Sequence, residues 1–353
     1  MNNKIQNHIR KLLKSAGVTA LLVLLIITQT GCGSKTAEPA GRTEYHLNTA
    51  CQISVYGMSG SQAEDVLDTA FKTVKDYENL LSKTVKGSDV YRINHAKGKY
   101  VTVSDDTLKV LKLATTIGDL SDGAFDCTVG KVVDMWNFTG EDPKVPDKGD
   151  IAEAVESIDY KKIKISGNKV KLTDADAALD LGGIAKGYIA DRTAEAVEKA
   201  GAESAIVNLG GNVVAVGNKP DGSPFVVGIE RPYSDRTEMV GSVEATNRTL
   251  VTSGIYERNF TENGKLYHHV LNPETGYPAE TDLEAVTIAA DIGYSGFCDG
   301  LSTSCLIMGE DRAKAFIAEI QKKFPDRHIE ASFINSKDKI SETDGMKVIL
   351  TED

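Results

Sequence analysis

The sequence predicts an α+β fold, with mixed or antiparallel sheets packed against helices. Three observations carry this. Short alternating strands come in pairs joined by turn residues, as in Ile163–Leu172 around Ser166-Gly167-Asn168-Lys169. A second tight turn, Gly210-Gly211, follows the apolar run Ala205–Leu209, and Glu262-Asn263-Gly264 marks a third. Helical periodicity appears at irregular intervals between these strands and does not alternate with them regularly.

The elements follow in order. Thr43–Tyr56 alternates Tyr45, Leu47, Ile53 and Val55 and predicts one strand. Ser61 opens a helix to about Lys83, with Val66, Leu67, Ala70, Phe71, Val74, Tyr77 and Leu81 on one face. Tyr100–Val103 predicts a short strand, and Ser104 caps a helix carrying Leu108, Leu111 and Ile117 that ends near Gly123. Asp150 starts a short helix. Ala178–Leu181 reads as a short strand handing over through Gly182-Gly183 to a helix that ends near Gly201. Further strands are expected at Phe225–Glu230, Gly241–Glu244, Leu283–Ala290, Ile329–Ile334 and Met346–Leu350. Helices are expected at Ser295–Met308 and Asp311–Phe324.

The 353 residues divide into an N-terminal address and a body. Residues 1–31 contain Lys4, Arg10, Lys11 and Lys14 and no acid, then the apolar run Ala16–Ile27, which is short for a membrane span and reads as a signal-peptide core. Gly31-Cys32 resembles the lipobox of bacterial lipoproteins, so Cys32 is the expected lipidation site and residues 32–42 a polar linker. The alternative is a conventional secretory signal with Cys32 incidental. Either way residues 43–353 form the exported domain, and a lipid anchor places it on the outer face of the bacterial cell membrane. The whole chain has net charge −11, so the body beyond the four N-terminal cations carries −15. That balance argues against nucleic acid as partner but leaves a phosphate ligand open. Five cysteines without a CxxC pair fit no zinc site, and Cys298 and Cys305, which could share a helix face, are expected to be buried free thiols.

Asp299 and Thr303 lie four apart on a predicted helix and share a face. A carboxylate with a hydroxyl is a hard-oxygen set suited to magnesium completed by water and phosphate. A threonine bonding back to its own helix is the competing reading. His268 and His269 point to opposite sides of a strand, so one can enter a site as a general base while the other is structural. Asn272-Pro273-Glu274-Thr275-Gly276 then forms a tight turn. Gly123-Ala124-Phe125-Asp126 suits a loop against a flat ligand. No P-loop, dinucleotide fingerprint or GxSxG is present.

Taken with Ser88-Asp89-Val90-Tyr91-Arg92-Ile93-Asn94, Thr128-Val129-Gly130, Asp180–Tyr188, Val207–Asn212, Thr252-Ser253-Gly254, His268–Gly276 and Cys298–Thr303, these motifs resemble the ApbE family of FAD:protein FMN transferases, in the family's order and over roughly Tyr45–Gly309. The resemblance implies an ApbE-like fold. It also implies a magnesium-dependent reaction in which a threonine of an exported flavoprotein attacks FAD, AMP leaves and FMN stays on the protein. It further implies that Asp299, Thr303 and the carbonyl of Gly183 hold Mg2+, and that Leu47, Thr84, Ala124, Phe125, Asp126, Asp180, Lys186 and Val270 line the FAD site. His269 would activate the threonine. Three positions depart from the family pattern: Leu47-Asn48-Thr49 replaces Met-Gly-Thr, Thr84 replaces a tyrosine and Asn272 an aspartate. An FAD pyrophosphatase and a non-catalytic FAD-binding lipoprotein are the alternatives.

Overall fold

In the computed structural model, which describes residues 38–234 and 238–351, the sequence pattern becomes sixteen strands and eight α-helices. They are β1 (Ala40–His46), β2 (Thr49–Val55), α1 (Ser61–Leu81), α2 (Asp89–Asn94), β3 (Val101–Thr102), α3 (Asp105–Leu120), α4 (Gly130–Trp136) and α5 (Lys148–Val155). Then come β4 (Ile163–Ser166), β5 (Lys169–Leu172), α6 (Ala185–Lys199), β6 (Ala205–Leu209), β7 (Asn212–Val216), β8 (Phe225–Glu230), β9 (Met239–Ala245) and β10 (Arg248–Gly254). The last are β11 (Asn259–Glu262), β12 (Lys265–His268), β13 (Leu283–Asp291), α7 (Ser295–Met308), α8 (Glu310–Lys323), β14 (Glu330–Asn335), β15 (Ile340–Glu342) and β16 (Ile349–Leu350). The signal segment and Cys32 lie outside the described residues. No described helix is long and apolar enough to cross a membrane.

An eight-stranded antiparallel sheet, in the order β1-β2-β6-β7-β10-β13-β14-β15, forms the centre. Helices α1, α6, α7 and α8 pack across it in turn, on β1/β2, β6/β7, β10/β13 and β14. Strand alternation sends Ile53, Val207, Val251, Val286 and Ile288 into this main core. The opposite face of the sheet packs Leu250, Ala285, Ala289 and Ile334 against Phe225, Ile229 and Val243 of the small sheet β16-β9-β8. Strand β13 is buried on both faces, which explains why its apolar residues sit at adjacent as well as alternate positions. A third cluster gathers around Trp136, whose Nε1 donates to the Gly276 carbonyl at 2.8 Å.

Ser104 caps α3, its Oγ accepting from the Thr107 N–H at 3.1 Å, and Ser88 caps α2 in the same way. Cys51, Cys127, Cys298 and Cys305 are buried free thiols.

Three expectations are corrected. Thr43–Tyr56 is a hairpin rather than one strand, because Leu47 and Asn48 take positive φ of 54° and 57° and turn the chain in two residues. The alternation runs on through this turn, so no breaker marks it. Leu47 is held there by Glu78, whose carboxylate accepts its N–H at 2.9 Å. Ala178–Leu181 makes only an isolated bridge to Val129. Its hydrogen bonds go instead to the Asn94 side chain, which holds Leu179 N–H and carbonyl at 2.8 and 2.9 Å, and to the Cys127 carbonyl. At the C-terminus the strand shrinks to β16, while β15 forms without an apolar alternation to announce it.

Helices α6 and α7 cross at glycine. A Cβ on Gly187 would press into the Ser295 carbonyl and reach 2.9 Å from the Asp299 Cβ, and one on Gly296 would reach 3.1 Å from the Tyr188 backbone. Asp191 on α6 accepts the Ser295 and Gly296 N–H groups at the start of α7, both at 3.0 Å. Gly187→Ala is therefore expected to destabilise the fold by about 2–3 kcal/mol, since backbone and not a flexible side chain must yield. Urea unfolding measures it; unchanged or raised stability, as an exposed helical Gly→Ala change gives, would contradict the close crossing.

Candidate active site

One cavity of about 450 Å³ opens where α6, α7, the Gly123–Val129 loop, the β1–β2 turn and the segment after β12 converge. That volume suits a dinucleotide-sized or smaller ligand. Leu47, Thr84, Ala124, Phe125, Asp126, Asp180, Gly183, Lys186, His269, Val270, Asp299 and Thr303 all line it. Residues spread over more than two hundred positions are thus brought to one place. Cys32 is the one expected site residue outside the described residues.

The α6–α7 crossing forms the cavity floor. Asp299 is buried, and its Oδ2 accepts the Gly187 N–H at 2.9 Å. Gly187 is the third residue of α6, so its N–H has no acceptor within the helix and Asp299 caps it from α7. No described donor bonds the Gly183 carbonyl. Thr303 completes the floor. A Cβ on Gly183 would lie 3.2 Å from the Thr303 Oγ1 and from Phe125 Cε2, so a larger residue here would crowd both side chains. The neighbouring hydroxyls do bond back to their helix, Ser302 to the Asp299 carbonyl at 2.9 Å and Ser304 to the Gly300 carbonyl at 2.7 Å. Thr303 makes no such bond among the described residues, which removes the competing reading of this pair. A carboxylate, a free hydroxyl and a free carbonyl converge, with no cluster of three His, Cys, Asp or Glu among the described residues. Few protein oxygens with room for water and ligand oxygens fit magnesium.

Charge around this floor is finely set. Burial pushes the Asp299 carboxyl up, and Lys186, 3.7 Å from its Oδ1, together with the Gly187 N–H pulls it back. Lys186 also donates to the Gly182 carbonyl at 3.3 Å. Asp180 accepts the Gly182 N–H at 2.7 Å and pairs with Lys83 at 2.8 Å. Lys83 bridges on to Asp134 at 2.6 Å. Burial alone would lower the Lys83 pKa, but Asp180 and Asp134 outweigh it and hold the ammonium charged. Asp126 is buried, and its carboxylate is taken up by the Thr128 N–H and hydroxyl and the Tyr160 N–H, at 2.7, 2.6 and 2.8 Å. These bonds brace the loop, and Ala124 and the Phe125 ring stand beside it as the apolar part of the cavity wall. Thr84 is exposed at the rim.

The paired histidines divide as the strand pattern requires. His268 is buried in the core, with Nε2 donating to the Ala279 carbonyl at 3.2 Å. His269 lines the cavity. Its Nδ1–H donates to the Arg258 carbonyl at 3.2 Å, and its backbone N–H donates to the same oxygen at 3.0 Å. That tautomer leaves Nε2 as an acceptor. Burial, then the charges of Arg258 and Lys186, push its pKa down to about 3, so the ring is neutral at neutral pH. The turn behind it is held by Asn272, whose Oδ1 accepts the Glu274 N–H at 2.8 Å and whose carbonyl accepts the Gly276 N–H. An amide oxygen thus does what an aspartate would do in this turn.

Sequence reasoning missed Lys83, Asp134 and Arg258. Lys83 opens a polar loop and looks like any surface lysine until Asp180 and Asp134 fold onto it. Arg258 supplies the carbonyl under His269 and donates to the Asn48 carbonyl at 3.4 Å, tying the β1–β2 turn to the histidine segment.

An antiparallel sheet layered with helices, and a cavity built of free oxygens, one neutral histidine and guarded cations, define an anion-handling α+β enzyme class rather than a metal-storage or nucleic-acid protein. The family model described as the ApbE family matches residues 47–325, and the chain belongs to that family. A FAD:protein FMN transferase of Klebsiella pneumoniae is 34% identical over 239 residues, covering 67% of this chain and 74% of that protein. One of Treponema pallidum is 30% identical over 335 residues, covering 88% and 92%. The crystal structure of the ApbE protein of Thermotoga maritima superposes with a TM-score of 0.77 at 30% identity, over 87% of this chain and 97% of that one.

The depressed His269 pKa has a sign. Between pH 6.5 and about 3 the unfolded chain binds a proton that the folded ring refuses, so the folded state loses stability as pH falls through that window. A nuclear magnetic resonance titration should find His269 neutral, with Nδ1 protonated, down to pH 5. Exposed His328, whose pKa is raised by its 2.7 Å bond to Asp291, should protonate above the ordinary histidine value. A midpoint near 6.5 for His269 would contradict the site as drawn.

Proposed function

We propose that this chain transfers FMN from FAD to a threonine of an exported flavoprotein, releasing AMP, and that it does so outside the cytoplasm, held to the membrane by a lipid on Cys32. The observation that supports the chemistry best is the oxygen set on the cavity floor: the Gly183 carbonyl, the Thr303 hydroxyl and the Asp299 carboxylate. These three would hold Mg2+, which when bound neutralises pyrophosphate charge and favours departure of AMP.

The chain's own residues do the rest. Phe125 and Ala124 offer a flat apolar wall for the isoalloxazine ring, with Leu47 and Val270 as further apolar contacts. Lys186 brings positive charge to the floor where the pyrophosphate would sit. Asp180, kept in place by Lys83, faces the nucleotide as a hydrogen-bond acceptor. His269 Nε2 accepts the proton of the threonine hydroxyl as its oxygen attacks the phosphorus on the FMN side. The bond from that phosphorus to the AMP oxygen breaks, AMP leaves with the electron pair, and a threonyl phosphoester of FMN remains. Phosphoryl transfer asks for in-line positioning and charge neutralisation more than for covalent help, and no nucleophilic cysteine or serine is needed. The described cysteines are buried, and burial raises each thiol's pKa, which fits that requirement.

The test uses the protein with FAD, Mg2+ and a threonine-bearing acceptor, following AMP release and acceptor mass. The expected result is AMP matched one for one by flavin on the acceptor. AMP without an adduct would make the protein a pyrophosphatase, and neither product would end the enzymatic reading. His269→Ala should slow transfer by about 100-fold or more while FAD affinity barely changes. Asp299→Ala should abolish the magnesium dependence along with the activity. Equal loss of binding and turnover in His269→Ala would reassign the histidine to ligand binding.

A further inference from the structure

Outside the cavity, the sharpest departure from the protein's acidic character is the small antiparallel sheet β3-β5-β4 with the loop that leads into it. Residues 92–102 and 160–172 hold eight Lys and Arg and no Asp or Glu, in a body of net charge −15. Two of these cations are spent on neighbouring acids: Arg92 on Asp89, and Lys162 on Asp174 at 2.9 Å. Lys97, Lys99, Lys161, Lys164, Lys169 and Lys171 form no ion pair with a described carboxylate.

The register gathers them. Val170 and Leu172 face the core, so Lys169 and Lys171 face outward. Lys164 stands directly opposite Lys171. Like charges directly opposed on an antiparallel pair weaken it, so the fold gains nothing from this arrangement. Lys171 lies over the ring of Tyr100, 4.8 Å from its centroid, and Tyr100 is 46% exposed. Beside them Arg92, His95, Lys97 and Lys99 ring a shallow, open depression that shares no residue with the active-site cavity.

We propose that this lysine face docks the protein on an anionic lipid surface. Dispersed lysines act as point charges that suit a fluid layer of headgroups, whereas fixed phosphates favour the bidentate fork of arginine. A tyrosine exposed among lysines has the composition of a membrane interface, its ring at headgroup level and its hydroxyl in water. The acidic remainder of the body is repelled by the same surface, so one face alone approaches and the protein takes one orientation on the membrane. The face needs neither the lipid on Cys32 nor the transferase chemistry, and stands if either reading fails.

Residues 36–353 form a compact unit with its own core, so they fold without the segment before them. That fragment should sediment with vesicles containing about one-third phosphatidylglycerol in phosphatidylcholine, and not with phosphatidylcholine alone, with the binding lost at high salt. The triple variant Lys99→Glu, Lys164→Glu, Lys171→Glu should lower the partition coefficient by about 10-fold or more. The corresponding Lys→Gln triple should fall between it and the parent, which separates lost charge from lost folding. In solution, flavin transfer to a soluble acceptor should be the same in all three. Equal binding to neutral vesicles, or unchanged binding by the Glu triple, would overturn the proposal. So would loss of transfer to the soluble acceptor with vesicle binding intact, which would make this a protein-docking face.

Discussion

The hydrogen bond from the Gly187 N–H to Asp299 is the contact on which the rest of the structure depends. It joins the first turn of α6 to the middle of α7 at a crossing so close that only glycine fits at position 187. It fixes a carboxylate that would otherwise be a buried, poorly solvated charge. It also satisfies an N–H that the first turn of α6 leaves without a helical partner, so one interaction both anchors an acid and caps a helix. Asp191 repeats the device one turn on, capping the start of α7 from α6. Burial pushes this second acid up to about 6, so the cap costs stability as its proton leaves near that pH, and two backbone N–H groups limit the cost.

Around that crossing the protein separates charges by role. Lys83 is locked between Asp180 and Asp134, whereas Lys186 remains close to the site where an anion would sit. Arg258 acts twice without an acid of its own in the described ion pairs: its carbonyl sets the His269 tautomer, and its positive charge helps keep that ring neutral. In the proposed reaction a neutral histidine with a free Nε2 would take a proton from a hydroxyl, because a protonated ring would have nothing to accept with.

Much of this was legible in the sequence. Asp299 and Thr303 share a helix face by spacing alone, and the adjacent histidines had to split between core and site. The hairpins at Ser166–Lys169 and Asn263-Gly264 carried ordinary turn residues. What escaped notice depended on long-range geometry or on backbone groups, which have no sequence signal. The β1–β2 turn is built by Leu47 and Asn48 in left-handed conformations, and nothing local distinguishes them from an alternating strand. Lys83 meets Asp180 across almost a hundred residues. The Gly183 carbonyl belongs to the turn ahead of α6, and only the fold brings that turn beside Thr303. The lysine face likewise depends on register, since Lys164 and Lys171 become neighbours only when β4 pairs with β5.

The proposed cation site is shared by Gly183, Asp299 and Thr303, with the Gly187–Asp299 bond holding the carboxylate in place. The most direct measurement is anomalous diffraction from crystals of the protein grown with FAD and Mn2+ in place of Mg2+. The expected result is one strong peak within about 2.0–2.3 Å of the Gly183 carbonyl, an Asp299 oxygen and the Thr303 hydroxyl, bridging to the FAD pyrophosphate. A well-bound pyrophosphate with its cation elsewhere, or with the Gly183 carbonyl turned away from the cation, would contradict it.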